Sequence, residues 1–265
     1  MRRLILMILF MIALGVGTMR AQDIEYDEIQ EPSLQAAMES MRAHQIQYTM
    51  YLFYTMNVDT PGFIEQGGYN RRLKDSHRIK MIPFYRWRAG PIIETNKDLD
   101  FALEADSRGF FTVRLPGGKE GFTRDGRFVL DSQNRLVMAD GLFLVLGERG
   151  PITAPEGADI TSSVSGMLFA NGDPLDRLKI ALFTDSGRDK LITLNGSIFI
   201  LSDPGAERVT GEEKYRVRQG FLEQNNVLKA IIGDVAMLKR SYEGVVKTAK
   251  VTSRAMSSTL QIGAP

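Results

Sequence analysis

The sequence predicts a mainly β central body of twisted hairpins, flanked by N- and C-terminal α-helices that form a coiled-coil-like assembly segment. Three observations lead to that class. Between residues 110 and 202, short runs rich in Val, Ile, Phe, Leu and Thr alternate with joints rich in Gly and Asp. Outside that body, two stretches carry apolar residues at alternating steps of three and four. Finally, "TMNVDTPGF", residues 55–63, crowds Asn, Asp, Thr, Pro and Gly into one stop signal.

At the start, Arg2 and Arg3 precede the apolar run "LILMILFMIALGVG", and Ala21 supplies a small residue for cleavage. This order fits a secretory signal peptide over 1–21, and the run is short for a bilayer span. Met19 is a poor residue three positions from the cut, and an uncleaved N-terminal anchor is the alternative. The expected export places the mature chain, starting near Gln22, in the periplasm.

The first helix is expected to begin near "EPSLQAAMES", where Pro32 suits an initial turn. Leu34, Met38, Met41, Gln45, Tyr48, Leu52 and Thr55 form its stripe, imperfect at Gln45 and Thr55. Pro61 disfavours helical geometry at Thr60, and Gly62 supplies a flexible turn position, so the helix stops and the chain changes direction. In the body, "FFTVRL" and "GFTRDG" flank "PGGKE" as a hairpin requires. "FVLD" and "RLVMA" flank "SQN", then come "DGLFLVLG", "LKIALFT", "KLITL" and "SIFILS". The C-terminal helix carries the stronger stripe: Leu228, Ile231, Val235, Leu238, Tyr242, Val245, Ala249, Thr252 and Met256. An amphipathic helix lying on its own domain would show this pattern too. Its sustained heptads favour a seam that needs partners. The resulting division is 1–21 signal peptide, 22–60 assembly helix and turn, 61–220 β-rich body and 221–265 assembly helix.

Composition narrows the function. The 33 Lys and Arg against 32 Asp and Glu leave a net charge of +1, so no global field recruits nucleic acid. Cys is absent, which removes disulfides, thiolate nucleophiles and Cys-based metal sites, and the His residues are His44 and His77. His44 reads as a partly exposed helix residue, and His77, among basic neighbours, is a poor metal ligand. Asp125 and Asp131 fall at turns, where Asp is ordinary. No Ser has a credible base. The expectation is a non-enzyme with no catalytic, cofactor or metal residues and no small-molecule substrate.

One charged segment stands out. "RRLKDSHRIKMIPFYRWR" holds Arg71, Arg72, Arg86 and Arg88 with Tyr85 and Trp87 interleaved. A polyanion surface could look like this, but a solvated strand with inward aromatics explains it more cheaply. If the patch has a partner, an acidic protein face or cell-wall polymer suits it better than DNA. "PGGK" at 116–119 lacks the spacing of a phosphate loop and reads as a hairpin turn.

Four ordered blocks are similar to one family. "NVDTPGF" resembles the Asn-x-x-Thr-Pro-Gly-Phe signature of bacterial flagellar axial proteins, the rod and hook family. "TNKDLDFALEADSRGFFTV" resembles its Thr-Gly-Asn-x-Leu-Asp-x-Ala-Ile segment and Gly-Phe-Phe strand. "GFTRDGRFVLD" looks like its Thr-Arg-x-Gly-x-Phe hairpin, and "VRQGFLEQNNV" like its Gly-x-Leu-Glu-x-Ser-Asn-Val lead-in to the terminal helix. Two departures are the signal-like leader and "FYTMN", where the family often has Asn-Asn-Leu-Ala-Asn; Asn225 occupies the family's Ser position.

The compact middle is most like the basal-body rod members. The resemblance implies a structural rod subunit, with other copies of itself and neighbouring rod or hook subunits as partners. Its assembly interface would comprise Leu34, Met38, Met41, Tyr48, Leu52, Leu228, Ile231, Val235, Leu238, Tyr242, Val245 and Met256. Asn57, Thr60, Pro61, Gly62 and Phe63 would be the corner joining helix to body. The alternative is a secreted module that retains the fold and docks to flagellum or cell wall through Arg71, Arg72, Arg86 and Arg88.

Overall fold

The computed structural model describes residues 32–72, 79–106, 108–203, 205, 208–209, 215–225, 227, 237, 239–251 and 254. The signal peptide expected over 1–21, His77, and Leu228, Ile231, Val235, Leu238 and Met256 of the C-terminal stripe lie outside the described residues. The chain divides into two compact units. One comprises 56–67 and 83–230, and the other holds the described residues of 32–55, 68–82 and 231–254.

In the second of these, helix α1 begins at the expected proline and runs Pro32–Met56. Met38, Met41, Tyr48 and Leu52 are half-buried on it, whereas Gln45 is exposed. Among the residues of α1 whose side chains are described, the most covered are Ala43 and Tyr54, offset from the heptad stripe, with the Tyr51 ring edge-on to Tyr54 at 5.8 Å. The offset has a simple cause: Tyr and Ala serve a helix face as well as Leu or Met, so the stripe read from sequence sees only part of it. Thr49 and Thr55 satisfy their hydroxyls on the carbonyls of Gln45 and Tyr51, one turn back. Residues 239–251 are also helical, with Tyr242 exposed and Val245 half-buried. His44 donates through Nδ1 to the Ser40 carbonyl and meets Ser241 Oγ through Nε2, each at 2.6 Å. Two strands, β1 (Glu65–Arg72) and β2 (Ile79–Arg86), pair as a separate ribbon.

The body is built from β3 (Ile92–Glu94), β4 (Phe101–Glu104), β5 (Gly109–Arg114), β6 (Glu120–Thr123), β7 (Phe128–Leu130), β8 (Leu136–Met138) and β9 (Leu144–Gly147). It continues through β10 (Gly150–Pro151), β11 (Ile160–Ser162), β12 (Met167–Ala170), β13 (Asp173–Arg177), β14 (Ile180–Leu182), the one-turn α2 (Asp185–Arg188), β15 (Leu191–Thr193), β16 (Ile198–Leu201), β17 (Arg216–Gln219) and β18 (Phe221–Glu223). The main sheet has nine strands in the order β15-β16-β6-β5-β9-β8-β7, with β10 on β9 and β14 on β5. All of its pairings are antiparallel. Three smaller sheets, β11-β12-β13, β17-β4 and β18-β3, complete the body.

Strand β5 organises this sheet because both its faces are buried. Side chains alternate along a strand, so Phe110 and Phe111 point to opposite sides. Phe111 and Val113 enter one core with Phe101, Phe128, Leu136 and Val145. Phe110 enters the other with Ile64, Phe122, Phe183, Leu191 and Phe199. The second core is aromatic, its rings meeting edge-to-face, as Phe122 and Phe183 do at 5.1 Å and 87°. Tyr85 and Trp87 pack against it, and Tyr85 Oη accepts a hydrogen bond from the Thr193 amide at 2.9 Å.

The hairpins expected from turn chemistry are present, with Arg114 opposite Glu120 and Leu130 opposite Leu136. At 171–172 an Asn-Gly pair, both residues at positive φ, joins β12 to β13. Pairs β4–β17 and β3–β18 instead join distant segments, and no local residue pattern marks them.

Two predictions follow from the sheet. Among the described residues, Thr112 Oγ1 is buried with no hydrogen-bond partner. A buried hydroxyl so placed costs free energy, so Thr112→Val should raise urea-measured stability by about 1 kcal/mol. Partial burial would raise the Glu120 carboxyl, but the Lys179 hydrogen bond and the charges of Lys179 and Arg208 outweigh it and hold it below its usual range. A depressed folded pKa means a contribution present above the unfolded value of about 4.3 and lost as pH falls toward the folded one. The stability difference between wild type and Glu120→Gln should therefore shrink as pH falls below about 4, as urea titrations across that range would read.

Candidate functional site at the Pro-Gly corner

Beyond Met56 the chain turns through Asn57–Phe63. The Thr60 amide donates to the Asn57 carbonyl at 3.0 Å, and Thr60 Oγ1 reaches Asn57 Oδ1 at 3.3 Å. Gly62 sits at φ +61°, and its amide donates to the Glu223 carbonyl at 2.7 Å. A Cβ on Gly62 would lie 2.5 Å from the Arg124 carbonyl carbon and oxygen. Only glycine meets both demands. Phe63 and Ile64 are buried directly after it.

Beneath this turn lies an ion pair that is almost wholly excluded from water, Arg124 being 1% and Glu223 2% exposed. Arg124 donates through Nε to Glu223 Oε2 at 2.8 Å and through Nη2 to the same oxygen and to the Leu103 carbonyl. Its Nη1 donates to the Gly109 carbonyl, and the guanidinium stands 5.8 Å from the Phe110 ring centroid. Glu223 Oε1 accepts from the Gly90 amide at 2.8 Å. A Cβ on Gly90 would meet the Gln224 carbonyl oxygen at 1.4 Å. Two residues on, Asn225 Nδ2 faces the carbonyls of Asn57, Val58 and Thr60 at 3.0, 2.9 and 2.8 Å. One amide nitrogen has two protons, so three acceptors share them.

Chemically this is a clamp. Its charged groups are committed to each other and to backbone, leaving an arrangement suited to holding geometry. Among the described residues, no group of three or more His, Asp or Glu side chains could hold a metal ion. Asp125 and Asp131, read from sequence as turn residues, each bind a nearby arginine. Asp125 takes Arg127 through both oxygens, and that hydrogen bond holds the Arg127 guanidinium above its ordinary pKa. Asp131 accepts from the Arg135 side chain and from the amides of Arg135 and Gln133, which keep its carboxyl below the usual range.

The structure brings Asn57, Thr60, Pro61, Gly62 and Phe63 of the expected corner together with Arg124, Glu223 and Asn225. In the basic segment, Arg71 and Arg72 lie on β1, Arg88 is exposed, and Arg86 is engaged by Glu65. Sequence reasoning missed the Arg124–Glu223 pair. Both residues sit inside the quoted blocks "GFTRDGRF" and "GFLEQNNV". A lone Arg or Glu nevertheless reads as surface unless its partner is known.

Comparison with known proteins bears on this corner. The sequence model of the flagellar hook protein FlgE/F/G D1 domain matches residues 105–169, which include Arg124. The flagellar basal-body rod protein FlgF of Escherichia coli is 32% identical over 173 residues, covering 60% of this chain and 65% of that protein. The chain is similar to flagellar rod and hook proteins. FlgF of Salmonella typhimurium is 33% identical over 152 residues, 52% of this chain and 57% of its own length. The rod protein FlgG of Borreliella burgdorferi is 26% identical over 187 residues, 67% of each chain. The chain spans less than two-thirds of the length of either of these FlgF proteins.

Removing one partner of the buried pair leaves the other charge desolvated. Arg124→Ala or Glu223→Ala should each cost roughly 3–5 kcal/mol, and Arg124→Met with Glu223→Leu together should cost much less. Urea denaturation of the three variants measures this. Equal losses in single and double variants would contradict the assigned pairing.

Proposed function

We propose that this chain is a structural subunit of the flagellar basal-body rod, supporting motility and joined to like subunits through its terminal helices. The observation that carries the reading is the corner. Three blocks that resemble the rod family, far apart in sequence, converge there on one clamp. In this reading Leu34, Met38, Met41, Tyr48 and Leu52 on α1 pack against the stripe Leu228, Ile231, Val235, Leu238, Tyr242, Val245 and Met256. Copies of this chain and neighbouring rod or hook subunits then cover both. Burying a Leu-sized side chain contributes roughly 1.5–3 kcal/mol, so several per helix offset the ordering cost once neighbours are present. A repeated head-to-tail contact that does not close on itself propagates a helical tube. The clamp marks where the chain passes from assembly helix to β body. The signal-like leader routes the chain to the periplasm, where the basal body would receive it.

The test is purification of basal bodies from the native bacterium, with mass spectrometry of this chain and its N-terminal peptide. Stoichiometric presence, with a start near Gln22, is the expected result. Absence from clean basal bodies, with the cleaved chain free in the periplasm, would overturn the rod assignment.

A further inference from the structure

We infer that Asn225 is a double cap, whose single side-chain amide fastens the turn that follows α1 and caps the helical residue Val227, so that the two become ordered together. The two halves of the amide face different backbones. Its Nδ2 is within 2.8–3.0 Å of the carbonyls of Asn57, Val58 and Thr60, directly after α1. Its Oδ1 accepts from the Val227 amide at 3.3 Å, and Val227 is helical and fully buried. A side-chain oxygen accepting from the amide two residues on is the geometry of a helix N-cap, and Asn is among the best residues for it. These carbonyls belong to the turn that follows Met56, and the donor reaching them comes from a residue 168 positions away.

No other common side chain does both at this length. Asp keeps the accepting oxygen but turns a carboxylate toward the carbonyls. Ser can cap a helix, but its hydroxyl supplies one proton on a shorter arm. Asn therefore fits the double duty, because one χ rotamer serves both ends. Adjacent backbone bonds support the coupling: Gly62 donates to the Glu223 carbonyl and Gln224 to the Pro91 carbonyl, at 2.7 and 2.8 Å. The inference concerns the isolated chain and does not depend on its assembly.

Native-state hydrogen exchange on the full chain tests it. In the wild-type protein, the amides of Thr60, Gly62 and Val227 should open with a common protection that falls in parallel with added denaturant. Asn225→Ala should speed exchange at all three about fivefold or more, the scale of a lost cap. Amides of β5 should be unaffected. Asn225→Asp, which keeps the accepting oxygen, should speed Thr60 and Gly62 while leaving Val227 protected. If Thr60 and Val227 open independently in wild type, or if Asn225→Ala releases one end alone, the double cap is wrong. The wild-type measurement decides even if the alanine variant does not fold.

Discussion

Two opposite charges held out of water at the junction of body and turn constrain much of the structure around them. Desolvating Arg124 and Glu223 costs several kcal/mol per ion, and mutual attraction offsets this only when the remaining hydrogen-bonding capacity is also filled. The surroundings are arranged accordingly. The Leu103 and Gly109 carbonyls take further Arg124 protons, and the Gly90 amide fills Glu223 Oε1. Those partners come from the ends of β4 and β5 and from the segment before β3. A shift in any of these segments would leave a buried charge partly unpaired, so the pair defines their relative register more sharply than apolar contacts could.

The glycines at the corner are consequences of that constraint. Gly62 can approach the Arg124 backbone only without a Cβ, and Gly90 can approach Gln224 only on the same terms. Gly126 repeats the theme, since a Cβ there would stand 1.7 Å from the Phe101 carbonyl oxygen. Close backbone approach brings donors and acceptors within reach of the ions. The "TPGF" stop signal thus has two jobs: Pro61 keeps the helix from continuing, and Gly62 allows the following backbone to sit against Arg124.

What the sequence disclosed, and what it withheld, divides along the range of the interactions. The start of α1 at Pro32 and the hairpins on either side of 115–119 and 131–135 were legible because turn chemistry and strand patterning are written within a few residues. The Asn171–Gly172 hairpin carried the same kind of signal and went unread. By contrast, β3–β18 and β4–β17 pair segments separated by most of the body, and such pairings leave no local trace. The corner was half legible. Its turn was plain, but the Arg124–Glu223 pair and the Asn225 amide become visible only when residues from three blocks are brought together. Arg86 shows the converse, since a count of basic residues cannot reveal that Glu65 engages one of them.

The long-range character of the corner has an energetic meaning. Closing a loop costs entropy that grows only slowly with its length, so joining residue 57 to residue 225 is little dearer than joining segments half as far apart. The greater cost lies in ordering the groups themselves, and each contact at the corner orders a group that another contact already uses. Glu223 offers its carboxylate to Arg124 and its carbonyl to Gly62. Gln224 bonds Pro91, and Asn225 holds three carbonyls of the turn. Three consecutive residues therefore fasten the turn, the buried pair and the strand edge at once. Shared ordering of this kind makes the contacts cooperative. It also locates the closing of the N-terminal turn in the C-terminal part of the chain, where β18 ends, rather than in the turn's own sequence.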